Sequence, residues 1–119
     1  MGFNLNDYET VESRIERFWQ THPGGAIRTT AVMIDDARVV FRAEAYKDAT
    51  SPLPDATGYA DEVKGTTNVN RTNHVENCET SAIGRALANL GFATSSKRPS
   101  REEMQKAADA GHTEEPSPN

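Results

Sequence analysis

"AIRTTAVMIDDARVVFRAEAYK", residues 26–47, consists of two runs rich in β-branched and aromatic residues, broken by Asp35-Asp36-Ala37. Two such runs around a short polar break predict a β-hairpin, with Asp-Asp supplying turn chemistry rather than metal ligands. Alternation along the second run places Val39, Phe41, Ala43 and Ala45 on one face and Arg38, Val40, Arg42, Glu44 and Tyr46 on the other. The first face is the core side. The second carries two arginines and a tyrosine, and is either a solvated polar face or a ligand-facing one.

Downstream, "DATSPLPDA" (48–56) holds two prolines and predicts a loop. "TGYADEVKG" (57–65) then reads as a third, shorter and polar strand, either at a sheet edge or pairing late, with Lys64 near its exit. Upstream, Tyr8, Val11, Ile15, Phe18 and Trp19 recur at helical spacing and predict a first amphipathic helix. Asn6 with Glu9 fits a capping box, and His22-Pro23-Gly24-Gly25 ends the helix. Phe18 and Trp19 are expected in the core.

After a polar connection carrying Arg71 comes "ENCETSAIGRALANLGF" (76–92). Val75, Ala82, Ile83, Ala86, Leu87 and Leu90 form an apolar helical stripe, and Gly91 followed by Phe92 is a C-cap. Glu79 interrupts the stripe. It is expected either to pair with a strand arginine at the stripe's margin, or to fix a neighbouring subunit or orient a basic ligand-binding residue. Thr80, Gly84 and Ala88 recur every four positions, giving a smooth flank where another backbone can approach. Glycine inside a helix costs about 1 kcal/mol relative to alanine, so Gly84 needs a packing or ligand-access reason.

The expected fold class is therefore α+β: a three-stranded antiparallel sheet with helices packed on one face, in the order α-β-β-β-α. Residues 1–96 form the domain. Residues 97–119 form a polar tail with a short helix over 100–110, capped by Ser100 and Glu103, before a disordered end.

Composition narrows the function. The net charge of −5 argues against a broad electrostatic grip on nucleic acid, so any such site is a local patch or is assembled by oligomerisation. The lone Cys78 excludes an intrachain disulfide and reads as a small apolar residue, with a reactive thiol as the alternative. His22, His74 and His112 form no cluster, and no phosphate loop or nucleophile elbow is present, so neither an enzyme nor a bound cofactor or metal is expected. With no long apolar run and no leader pattern, the chain is expected to be cytoplasmic, without a membrane partner.

"GYADEVKG", the polar loop and "NHVENCETSAIGRALANLGF" together resemble the single-strand DNA annealing proteins, the superfamily of phage annealases and the eukaryotic ring-forming recombination mediator. The matching helix residues are Thr80, Ile83, Arg85, Ala86, Leu87, Leu90 and Gly91. The resemblance implies a phage-encoded protein of homologous recombination, in a bacterial host, that binds and anneals single-stranded DNA as an oligomeric ring or filament. An exonuclease or a single-strand binding protein would be a further partner. It implies DNA contacts from Arg85, Lys64 and Arg71, to which the polar sheet face adds Arg42 and Arg38. Tyr46, Tyr59 and Phe92 offer stacking surfaces where they are exposed. The alternative is an oligomeric protein-interaction module that keeps the fold without binding DNA.

Overall fold

The computed structural model describes residues 4–63, 70–93 and 97–113, with side chains throughout except at 70–72 and 110–113. The hairpin forms as its sequence requires. Strand β1 (Ala26–Ile34) pairs antiparallel with β2 (Arg38–Tyr46), and β2 pairs antiparallel with β3 (Ala56–Val63), in the order β1-β2-β3. A bulge at Val32 separates the pairs Ala31–Phe41 and Met33–Val40. Asp35 Oδ1 accepts from the backbone N–H groups of Ala37 and Arg38, both at 2.8 Å, so this carboxylate shapes the turn.

Helix α2 (Asn70–Leu90) covers one face of the sheet, and α1 (Val11–Thr21) packs beside it on α2, with Phe18 reaching the same core. Between the layers Phe18, Val39, Phe41, Ala43, Ala45, Ala60, Cys78, Ala82, Ala86 and Leu87 form the core. Opposite α2, Gly58 faces the helix so closely that a Cβ there would lie 2.4 Å from Ala86 N and 2.8 Å from Ala82 O. Glycine on the strand and alanines on the helix therefore let backbone meet backbone. Helix α2 is broken at Asn73, whose φ of −127° and ψ of 28° are not helical, and it ends at Gly91 with φ +108°.

Two expectations for α1 change. The helix begins one turn later than the Asn6–Glu9 pattern suggests, because Thr10 is the cap: its Oγ1 accepts from Ser13 N at 3.2 Å. Glu9 does not complete a capping box, since Arg17, Arg14 and the Ser13 hydroxyl all donate to its carboxylate. Trp19 is 41% exposed rather than in the core, stacked edge-on against buried Phe18 with centroids 5.0 Å apart.

A third helix, α3 (Arg101–Thr113), follows a complete capping box. Ser100 N donates to Glu103 Oε1 at 3.0 Å, and Glu103 N donates to Ser100 Oγ at 3.2 Å. This segment docks on the start of α1: Arg101 N donates to Glu9 O, and Val11 N donates to Glu102 Oε1. Arg14, fully buried, donates to the carbonyls of Gly84 (3.0 Å), Lys97 (3.2 Å), Arg98 (2.7 Å) and Pro99 (3.3 Å). One guanidinium thus joins α1, α2 and the approach to α3.

Candidate nucleic-acid interface

With the helices on one side, no described element covers the other side of the sheet. It carries the second face of β2 and its neighbours: Arg28 and Thr30 on β1, Arg38, Arg42, Glu44 and Tyr46 on β2, and Thr57, Tyr59 and Asp61 on β3. Charges there are matched locally. Arg42 Nη2 donates to Glu44 Oε2 at 2.5 Å, and Tyr46 Oη donates to Glu44 Oε1 at 3.2 Å. The Arg28 guanidinium stands 4.7 Å from the Tyr46 ring centroid, and Arg38 donates to Asp61 at 3.1 Å. Arg42 Nε is buried without a partner.

Tyr59 lies opposite Arg42 in the β2–β3 register and is 51% exposed. It also forms one wall of a groove of about 510 Å³ between β3, the C-terminal half of α2 and the segment leading into α3. Arg85, Asn89, Arg98 and Glu103 are its polar lining on the other side. Arg85 Nε donates to Glu103 Oε2 at 2.7 Å, while Arg98 donates to Asn89 Oδ1 at 2.5 Å and to Ala88 O at 3.3 Å. Asn89 Nδ2 in turn donates to Thr57 O at 2.6 Å, tying the helix to the β3 edge.

Of the five basic residues singled out in the sequence, Arg38 and Arg42 share the open sheet face, and Arg85 stands in the adjoining groove. Lys64 lies outside the described residues, and so does the side chain of Arg71, whose backbone is in α2. The stacking surfaces separate clearly: Tyr59 is exposed, whereas Tyr46 is 6% exposed. Arg98 escaped notice because "SSKRPSREE" reads as a polar tail, although its Ser-x-x-Glu cap signals a docked helix start.

The small-residue flank of α2 is not a free surface. A Cβ on Gly84 would lie 2.8 Å from Val11 Cγ2 and 3.6 Å from Ser100 Oγ, so α1 and the α3 cap fill it. Glu79 Oε2 accepts from the Thr29 hydroxyl at 2.6 Å rather than pairing with a strand arginine. Cys78 is fully buried, with its thiol 3.2 Å from Ala60 O; burial pushes its pKa up against the lowering effect of a hydrogen bond from the Phe41 backbone. A reactive thiol is thereby set aside. Among the described residues, no group of three or more His, Cys, Asp or Glu side chains could hold a metal ion, and no helix is long and apolar enough to cross a membrane.

The family described as Slr1353 N-terminal dsRNA-binding domain-like matches residues 15–90, from within α1 to the end of α2. The chain belongs to this family. No curated protein and no solved structure matches it. The family match overturns the resemblance to single-strand annealing proteins, and the recombination, phage and ring expectations that came only with that resemblance go with it. What misled is visible in α2. Ile83, Ala86, Leu87, Leu90 and Gly91 are what any helix needs to pack on a small sheet and stop at a glycine, so the pattern reports packing rather than ancestry.

Proposed function

We propose that this chain is a nucleic-acid-binding module rather than an enzyme, and that its target is double-stranded RNA. The observation that carries the reading is the family match, whose 15–90 span runs from within α1 through the three strands to the end of α2. A-form duplexes are recognised mainly by shape and by contacts to phosphate and 2′-hydroxyl groups, which demands donors in a fixed array and no base-reading motif. Arg28, Arg38 and Arg42 stand on one sheet face, and Arg85 and Arg98 continue the array at its edge.

Charge sets the strength. Arg38, Arg42 and Arg85 each hold an internal carboxylate, so binding exchanges that carboxylate for a phosphate. With a net charge of −5, affinity belongs at the weak end, in the range of about 10⁻⁴ to 10⁻⁶ M at physiological salt. Fluorescence anisotropy with a labelled RNA duplex of about 16 base pairs, read at several salt concentrations, tests this. Arg38→Gln with Arg42→Gln is expected to weaken binding about tenfold and to reduce the salt slope by about one per lost phosphate contact. Unchanged affinity and slope would place the interface away from the sheet.

A second reading rests on the hairpin tip. Val32, Met33 and Ile34 are 54%, 37% and 54% exposed and adjacent, on a strand with a free edge. This favours a protein-interaction or self-association module. Under it, Val32→Lys abolishes association seen by light scattering and leaves RNA unbound in every variant.

A further inference from the structure

We propose that the groove between β3 and α2 receives one unpaired nucleotide at the end of an RNA strand, its base against Tyr59 and its phosphate between Arg85 and Arg98. This deepens the duplex-RNA reading and rests on it. A volume of about 510 Å³ suits one small ligand and excludes a base-paired helix. The walls differ in chemistry. Half-exposed Tyr59, on the open sheet face, lines the groove at its strand rim. On the helix side, the Arg85–Glu103 bond uses Nε and leaves both Nη groups for an acceptor. Arg98 is held by Ala88 O and Asn89 Oδ1 through its two Nη groups, leaving Nε.

Two guanidiniums and one carboxylate leave a single positive charge in the groove, matching the single negative charge of a phosphodiester. An inorganic anion would leave the Tyr59 ring unused, and a purely aromatic ligand would leave the guanidiniums unused. A nucleotide uses both, because aromatic rings stack on any free base face while arginines bind phosphate. At a blunt end the exposed face belongs to a base pair, which is too wide for this groove, so the base that enters is an unpaired one. Three of the groove's residues, Arg98, Pro99 and Glu103, lie beyond residue 90, where the family match ends, so the groove is completed by the segment that docks α3.

The test compares blunt RNA duplexes with duplexes bearing one extra nucleotide at the 3′ or the 5′ end, by anisotropy on the full chain. At least one overhang is expected to bind about 5- to 100-fold more tightly than the blunt duplex. That ratio is expected to fall to one in Tyr59→Ala and Arg98→Gln and to persist in Tyr59→Phe, with thermal unfolding confirming that each variant is folded. Equal binding of blunt and overhang duplexes overturns the inference while the duplex reading stands. If no duplex binds, the duplex reading fails and titration with adenosine 5′-monophosphate decides the groove. Tyr59-dependent binding of the nucleotide, tighter than that of inorganic phosphate, upholds a nucleotide site, and binding no tighter than phosphate overturns it.

Discussion

Arg14 shows how one side chain can be misjudged from sequence. It sits on the helical face of α1 between Val11 and Phe18, where a periodicity reading sees only a charge. In the structure it is fully buried and satisfies backbone carbonyls on two segments, α2 and residues 97–99, which no local pattern could reveal because these acceptors lie 70 to 85 residues away. Removing it strands several buried backbone acceptors, a loss that typically costs about 3–5 kcal/mol. Arg14→Met is therefore expected to lower Tm by about 10 °C or more and to make the 97–113 segment sensitive to limited proteolysis before the rest of the chain unfolds. A Tm within a degree or two of the parent would mean that water satisfies those carbonyls. Glu79 is the milder case. The sequence showed that it needed a partner, and the partner is a strand hydroxyl, Thr29, instead of an arginine.

At the level of elements, the sheet and both main helices were legible because period-2 and period-3.6 patterns report burial directly. Val39, Phe41, Ala43 and Ala45 are all buried as their alternation requires, and Gly91 ends α2 in the left-handed conformation that its place after Leu90 implied. The start of α1 was less legible, since Thr10 and Asn6 are both acceptable caps and tertiary bonding of Glu9 chose between them. That bonding has a pH signature. Burial alone would raise the Glu9 pKa, but hydrogen bonds from Arg17 and Ser13, the charge of Arg17 and the bond from Arg14 together lower it from its ordinary value of 4.5. A carboxylate whose folded pKa lies below its unfolded one stabilises the fold fully above the unfolded value and loses that contribution as pH falls through the folded value. Thermal melts should thus show stability declining as pH drops below about 4.5, with Glu9→Gln less stable at pH 7 and less sensitive to acid. Parallel pH profiles for the two proteins would assign the acid sensitivity to other carboxylates.

Across the whole molecule, the fold class was readable and the kinship was not. Three antiparallel strands under two helices follow from patterning, yet several unrelated functions use that arrangement, so the element order could not separate a strand-annealing protein from a dsRNA-binding-like one. Nor could net charge locate an interface, because the decisive feature is local. The arginines of the open face and groove are assembled from β1, β2, α2 and the α3 approach, each held by a carboxylate, a carbonyl or an aromatic ring. The exposed hairpin tip offers the competing surface. Titrating isotopically labelled protein with an RNA duplex and following backbone and arginine side-chain amide shifts distinguishes the two surfaces directly. The account predicts shifts concentrated on Arg38, Arg42, Tyr59, Arg85 and Arg98, reversed by added salt. Shifts confined to Val32, Met33 and Ile34, or none at low salt, would contradict it.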